Sequence, residues 1–318
     1  MIRALRLTDL VGVAMFLRST NQTELTSHTW PKVEPASGHL PVGVAIRQSC
    51  GLGGGGEYGW AAGDGRRVDG LVVARRRSEG LVWDIQHLLA AGGETSLAAE
   101  LLDVVCHRAA SLGGRRVFLE LPADAPHEDL ARRAGFERYT TMTLYQLRPR
   151  FKRPTVEPLE GRPRLRIDEQ PLFQLYGRAV PQLVRSAEAM TYDEWSALHR
   201  GRKKWAPALI GDRHQYVWEL GEGLAGWMEV VYGQKSQYLE LLLDPKYESM
   251  SDRFLSFGIK QISEKAAVYS TVRPYQAGLD VAMERLGFEV AGRFDVYVRQ
   301  LSIRVPERTL VPANVIGG

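Results

Sequence analysis

The sequence predicts an α/β (α+β) protein of two tandem domains, each a mixed, mostly antiparallel central sheet flanked by helices. Two observations carry that prediction. The phrase Gly-Phe-Glu with a Tyr eight residues further on occurs twice, as Gly135-Phe136-Glu137 with Tyr145 and as Gly287-Phe288-Glu289 with Tyr297. The copies are 152 residues apart (287 − 135), and Pro122 and Pro274 keep the same offset. A repeat of domain length marks two globular units and not a solenoid. In both halves, moreover, three strand-like runs separated by turn residues are followed by helix, strand, helix and strand patterns. The expected domains are residues 1–150 and 164–304, joined by a Pro- and Arg-rich linker at 151–163 and followed by an irregular tail at 305–318.

In chain order, Ile2 to Leu7 is strand-like, and Thr8-Asp9 suits the N-cap of an apolar helix running through Phe16-Leu17. Residues 19–49 give no clear pattern. Strands are expected from Glu57 to Ala62, Val68 to Arg77 and Leu81 to Leu89, with turns at Gly63-Asp64-Gly65 and Ser78-Glu79-Gly80. Leu97, Leu101-Leu102, Val105 and Ala109 recur at helical spacing before the Leu112-Gly113-Gly114 stop. Val117 to Leu121 is a strand, His127 to Ala134 a short helix ended by Gly135, and Tyr139 to Leu147 a final strand. The second half repeats the order. A strand is expected at Leu165 to Ile167, an interrupted helical region at 170–205, and a meander at His214 to Leu220, Leu224 to Tyr232 and Gln237 to Leu243. Helix, strand, helix and strand follow at 251–265, 267–273, 277–286 and 290–301.

With 318 residues, 44% of them hydrophobic, each half can bury its own core. The two cysteines, Cys50 and Cys106, have no local partner, which excludes a disulfide framework and a zinc knuckle and suits a reducing, cytoplasmic setting. No uncharged apolar run reaches the roughly eighteen residues of a membrane helix, so no membrane partner is expected. A net charge of +4 favours anionic ligands such as a phosphorylated small molecule. Basic runs at Arg75-Arg76-Arg77 and Arg200-Gly201-Arg202-Lys203-Lys204 come without a nucleic-acid module signature, so nucleic acid is not an expected partner.

Few side chains carry chemistry on sequence grounds. Asp84 and His87 fall on the fourth strand of the first half, three residues apart and so expected on opposite faces. Glu240 interrupts Leu239, Leu241, Leu242 and Leu243, and a carboxylate in such a run either faces outward or is tuned for proton abstraction. Glu120 stands in a similar run on the fifth strand of the first half. Gly51-Leu52-Gly53-Gly54-Gly55-Gly56 matches a dinucleotide fingerprint in form only, because a strand follows it and not a helix. No His, Cys or Asp set has metal-ligand spacing.

The order of strand, helix, antiparallel meander, long helix, strand, short helix ending in Gly-Phe, and strand resembles the GNAT acetyltransferase superfamily. In the first half the resemblance rests on Leu101-Leu102, Ala109, Leu112-Gly113, Val117-Phe118-Leu119-Glu120-Leu121 and Ala134-Gly135-Phe136. In the second it rests on Leu239-Glu240-Leu241-Leu242-Leu243-Asp244-Pro245 and Met283-Glu284-Arg285-Leu286-Gly287-Phe288. Two fused units of this length also look like the mycothiol synthase layout. The resemblance implies an N-acyltransferase that uses acetyl-coenzyme A as co-substrate, needs no metal, and acylates an amine of a small molecule or peptide.

In that family the acyl-coenzyme A lies where the fourth and fifth strands splay, with its pyrophosphate on backbone N–H groups at the start of the long helix. A backbone N–H near a bulge in the fourth strand polarises the carbonyl, a carboxylate or water takes the amine proton, and a Tyr protonates the thiolate. Carried onto this chain, the phosphate loop of the first half is Gly92, Gly93, Thr95 and Ser96, with Glu94 bringing a negative charge among them. In the second half Lys246, Ser249 and Ser251 fill the corresponding turn, and Gln276 takes the position of the family's Asn. The family's Tyr is replaced by Ala131 and Met283, and its Asn in the first half by Asp124. Glu240, Asp84 and Tyr275 are the expected catalytic candidates. At most one competent site is expected, with acyl-coenzyme A in the first half and the acceptor wall from the second. The reversed assignment, and a non-catalytic binding or assembly module with degenerate cofactor loops, stand as alternatives, and the oligomeric state is left open.

Overall fold

A computed structural model describes residues 1–18, 22–24, 56–64, 67–77, 80–92, 94–123, 128–152, 155–189, 191–200, 212–233 and 236–302. Cys50, the glycines at 51–55, Gly93, Asp124, the basic residues at 201–204 and the tail from 303 lie outside them. The first half contains β1 (Ile2–Ala4), α1 (Leu10–Arg18), β2 (Gln22–Glu24), β3 (Glu57–Ala62), β4 (Gly70–Arg76), β5 (Val82–Ala91), α2 (Thr95–Ser111), β6 (Arg116–Pro122), α3 (Glu128–Arg133) and β7 (Glu137–Leu147). The second contains β8 (Arg162–Pro163), α4 (Glu169–Ala179), α5 (Gln182–Glu188), α6 (Tyr192–Arg200), β9 (Arg213–Leu220), β10 (Gly223–Tyr232) and β11 (Ser236–Leu243). It ends with α7 (Ser251–Gln261), β12 (Ala267–Val272), α8 (Ala277–Arg285) and β13 (Glu289–Gln300).

Three local expectations change. The short strand opening the second half is Arg162–Pro163, while 166–168 turn into a 3-10 helix in place of the strand expected at Leu165 to Ile167. A further 3-10 helix, Pro245–Met250, precedes α7. Asp9 does not cap α1: its carboxylate turns back to accept from the Arg6 backbone N–H (3.0 Å) and from the Arg3 guanidinium (2.6 Å). The same construction opens the second half, where Asp168 accepts from the Leu165 backbone N–H (2.6 Å) and twice from Arg162 (2.7 Å each). In both halves the Arg stands six residues before the Asp, on the edge strand, so each half begins with the same latch.

All strands form one 13-stranded sheet, ordered β1-β3-β4-β5-β6-β13-β7-β12-β11-β10-β9-β8, with β2 paired to β5. The two halves exchange their last strands. β7 pairs with β12 of the second half and β13 pairs with β6 of the first, while β7 and β13 run antiparallel to each other at the centre. Their register is that of a two-fold axis normal to the sheet. Met142 opposes Phe294, its own repeat mate, and the pairs Glu137–Val298 and Glu289–Gln146 map onto one another by the 152-residue offset. Even the bulges obey it, since the ladder skips Tyr139 on β7 and Ala291 on β13. The repeated Tyr residues follow the exchange: Tyr145 is buried in the core of the second half, and Tyr297 in that of the first.

Alternation along the strands splits the core into two layers. On one face, Val72, Ala74, Ile85 and Leu88 meet Leu101, Leu102 and Val105 of α2 and Leu130 of α3, and Met228, Val230, Leu239 and Leu241 meet Phe254 and Leu255 of α7 and Leu279 and Met283 of α8. On the other, Leu71, Val73 and Leu89 meet Val13 and Phe16 of α1, and Trp227 and Leu242 meet Leu172, Leu175, Val184 and Trp195 of α4 to α6. Prolines and caps cut the second half's helical region into pieces: Pro181 starts α5, and α6 opens on a capping box in which the Thr191 hydroxyl accepts from the Glu194 N–H (3.2 Å).

The repeated Gly-Phe has a conformational cause. Gly135 (φ 69°) and Gly287 (φ 87°) adopt the left-handed conformation that ends α3 and α8. The N–H groups of Phe136 and Phe288 then reach back to the carbonyls of Ala131 (2.9 Å) and Met283 (3.0 Å), and each phenylalanine is buried in the core of its own half.

Candidate active site

In the first half β5 and β6 are paired in parallel only from Val82–Arg116 to Asp84–Phe118, after which they separate. At this point β5 bulges. Ala74 faces Ile85 and Val73 faces His87, so Gln86 is the extra residue. The bulge corrects the expectation for Asp84 and His87: they oppose Arg75 and Val73 of β4, two positions apart, and therefore share one face, the face covered by α1. A one-residue insertion shifts the alternation and brings them together. Asp84 is held by the Arg77 guanidinium, which also lies over the Phe118 ring at 5.8 Å.

Beyond the bulge, β2 pairs with Leu89 to Ala91 at the far end of β5. The edge of β5 facing the gap between the end of β6 pairing and β2 is thus Ile85 to Leu88. Gly92 (φ 58°) turns the chain into α2, whose N-cap is Glu94 and whose first turn holds no acidic residue. The Glu94 carboxylate accepts from the Ser96 hydroxyl (3.0 Å) without capping the helix. Gly92 and Ser96 are exposed and Thr95 is half-buried, so an anion has access to the positive end of a 17-residue helix.

The second half differs at each of these points. β11 pairs with β12 from Ser236–Ala267 to Leu239–Ser270 and then separates, but its ladder with β10 runs without a bulge from Tyr232–Gln237 to Gly226–Leu243. The Gln276 amide crosses the gap, donating to the Leu241 carbonyl (2.8 Å) and accepting from the Arg273 N–H (3.0 Å). In the turn before α7, Asp244 accepts from the Lys246 N–H (3.1 Å) and from Arg178 (2.6 Å), and the Ser251 hydroxyl is buried and donates to the Glu248 carbonyl (2.7 Å). The Glu248 carboxylate accepts from the N–H of Gly278 at the start of α8. Lys246 and Ser249 are exposed, and the Lys246 ammonium lies 5.6 Å from the Tyr247 ring centre.

Glu240 and Tyr275, far apart in sequence from Tyr139 and Glu188, belong with them to a polar group on the α4–α6 face, over the middle of the sheet. Glu240 shares the face of Leu242, and Tyr275 packs against the same cluster. Tyr139, the bulge residue of β7, donates to Glu188 at the end of α5 (3.0 Å). Arg273, just after β12, lies 3.5 Å from the same carboxylate. Arg116 of β6 anchors the helices above by pairing with Glu194 (3.1 Å) and donating to the Glu188 carbonyl (3.4 Å). Glu120, two residues beyond Phe118, faces the same way, and its charge is felt by both Arg273 and Tyr139.

Burial and the Glu188 charge raise the phenol pKa values of Tyr139, Tyr176 and Tyr275 far above the ordinary value, so all three stay protonated at neutral pH. For Arg273, burial disfavours the charge, but Glu188 and its neighbours outweigh it and the guanidinium stays charged. Burial pushes the Cys106 thiol up to about 12, which removes it as a nucleophile. Among the described residues no group of His, Cys, Asp or Glu has the arrangement of a metal site, and no helix is long and apolar enough to cross a membrane.

No protein-family model matches the sequence, and no curated protein does. The fold has relatives among solved structures. A GCN5-related N-acetyltransferase from Sphaerobacter thermophilus superposes with a TM-score of 0.57 at 13% identity, covering 94% of this chain and 95% of that one. A tandem GNAT protein from the clavulanic acid biosynthesis pathway gives 0.50 at 16% identity, covering 94% and 98%. An acetyltransferase described as putative, from Pyrococcus horikoshii, gives 0.51 at 13%, covering 95% and 90%. Repeat, exchanged strands and structural likeness agree that the chain has a tandem GNAT fold.

Proposed function

We propose that the chain is an acyl-coenzyme A-dependent N-acyltransferase with one cofactor site, in the first half. The observation that carries this reading is the bulge at Gln86, placed where β5 leaves β6 and followed by α2, whose first turn after the N-cap Glu94 holds no acidic residue. Backbone N–H groups of α2 near Thr95 and Ser96, with Gly92 allowing close approach, take the pyrophosphate. The stretch of β5 from Ile85 to Leu88, between its pairings with β6 and β2, receives the peptide-like pantetheine arm, and a backbone N–H at the bulge polarises the thioester carbonyl. The acceptor amine attacks that carbon, the C–S bond breaks, and coenzyme A leaves as the thiol after taking a proton. Asp84, on the face of the gap, is the candidate base for the proton that the amine gives up, directly or through a water.

Support for the first half also comes from the second, where Gln276, Glu248 and Ser251 already use the groups a cofactor would need. Ser251 and Gln276 are therefore given structural roles in this reading, and the exposed Lys246 and Ser249 no cofactor role. Glu240 and Tyr275 line the acceptor side. The direct test is release of coenzyme A thiol from acetyl-coenzyme A in the presence of small primary amines. Asp84→Asn is expected to lower kcat by about a hundredfold while the affinity for acetyl-coenzyme A stays unchanged. Wild-type turnover retained in that variant would remove Asp84 as base, and no amine-dependent thiol release would count against the reaction itself.

A further inference from the structure

The gap that opens where β5 leaves β6 contains main chain. β2 (Gln22–Glu24) runs antiparallel to β5 there, with Gln22 opposite Ala91, Thr23 opposite Ala90 and Glu24 opposite Leu89. β4 takes the other edge of β5 over the same stretch, pairing Leu71 with Leu89 and Gly70 with Ala90, so β2 lies on the edge that β6 occupies at Val82 to Asp84. The Ala91 N–H donates to the Asp69 carbonyl on the β4 side (2.8 Å), and alternation then turns the N–H and C=O of Ala90 toward β2. Thr23 and Ala90 are therefore the pair that exchanges backbone hydrogen bonds. Just past Ala91, Gly92 turns the chain and α2 begins at Thr95. Among the described residues of the second half, no strand enters the corresponding gap.

We infer that β2 and the pantetheine arm of acetyl-coenzyme A compete for one stretch of β5, so that the cofactor displaces β2 as it binds. The inference rests on the acyltransferase reading, which puts the thioester at the Gln86 bulge and the pyrophosphate at the start of α2. An extended pantetheine arm is about as long as five residues of strand, and the fifth residue after Gln86 is Ala91. The arm therefore runs past Leu88 onto the residues that β2 holds. Ala90 offers the same N–H and C=O to either partner, the Thr23 backbone or an amide of the arm. A strand of three residues belongs to the least stable part of a fold, which opens without global unfolding. While seated, β2 covers an edge that would otherwise be open to other chains. Its cost is a lower apparent affinity for the cofactor, in proportion to the population in which β2 is seated.

The test is calorimetric titration of the full chain with acetyl-coenzyme A and with 3′-phosphoadenosine 5′-diphosphate, which keeps the phosphates and lacks the arm. Thr23→Pro removes the N–H that reaches Ala90, whereas Glu24→Pro places the ring where the N–H already points away from β5. Thr23→Pro should bind acetyl-coenzyme A about tenfold more tightly than the wild type or Glu24→Pro, with equal affinity for the nucleotide in all three proteins. In the wild type, acetyl-coenzyme A should speed amide hydrogen exchange at residues 22–24 and leave it slow at Ala90, a measurement that decides even if Thr23→Pro fails to fold. Acetyl-coenzyme A bound equally by all three proteins, a nucleotide affinity raised as much as that for acetyl-coenzyme A, or exchange at 22–24 unchanged by saturating cofactor would overturn the competition and leave the cofactor site standing. No heat from acetyl-coenzyme A with any of the three proteins sinks the cofactor reading itself, and the competition with it.

Discussion

At the scale of single residues, the clearest structural unit is the latch that opens each half, Arg3 with Asp9 and Arg162 with Asp168. Asp168 is nearly buried (4% exposed), and hydrogen bonds from Arg162, then from the Leu165 N–H, hold its carboxyl below the ordinary carboxylate range against the cost of burial. A depressed carboxylate contributes stability that is present above its unfolded value and lost as pH falls through its folded value. Asp168→Asn should therefore cost about 2 kcal/mol near neutral pH by urea denaturation, and the difference from wild type should shrink as pH falls below about 4. A difference independent of pH would assign the effect to packing. Arg and Asp six residues apart at the start of both halves were there to be read, but the offset between these copies (162 − 3) is not the offset of the Gly-Phe copies, so one alignment without gaps misses them. The shared face of Asp84 and His87 was not legible at all. A bulge adds one residue without marking composition, and strict alternation puts the pair on opposite faces.

Among the elements, the meanders, the long helix α2 and the Gly-Phe stops followed from periodicity and turn chemistry, because each is dictated by its own residues. The exchange of β7 and β13 was not. Which neighbour a strand takes depends on two distant segments, and both exchanged and unexchanged pairings present the same alternating pattern. Tyr145 and Tyr297, first evidence of duplication, turn out to be the side chains each half buries in the other. Close packing of α7 on the sheet gives a test at this scale. A Cβ on Gly258 would meet the Met228 sulfur at 2.6 Å and the Leu239 side chain, so Gly258→Ala should destabilise by roughly 1–3 kcal/mol. Unchanged stability in a thermal melt would show that the helix can shift away from β10 and β11. The candidate cofactor loop was only half legible for a related reason: the second half's turn reads as small and polar, but its Asp244, Glu248 and Ser251 are occupied with each other and with neighbouring backbone.

For the whole molecule, the exchanged strands join the halves into one sheet, so neither is complete alone. Residues 1–150 by themselves would leave β6 without β13, and would leave β7 without either of its neighbours, with apolar edges open to aggregation. Fragments 1–150 and 151–318 should each lack a cooperative unfolding transition and recover one as a 1:1 complex when co-expressed, read by light scattering and thermal melts. A soluble, cooperatively folding 1–150 fragment would contradict the exchange. Duplication has also let the two halves diverge, one keeping the bulge and an approachable helix start, the other closing its gap with Gln276. That asymmetry is the central claim, and calorimetric titration of acetyl-coenzyme A tests it most directly. Wild-type protein and Lys246→Glu should bind with equal affinity, while Ser96→Glu, which sets a carboxylate against the pyrophosphate at the start of α2, should weaken binding by about tenfold or more. Binding lost in Lys246→Glu and kept in Ser96→Glu, or no binding to the wild type at millimolar cofactor, would contradict it.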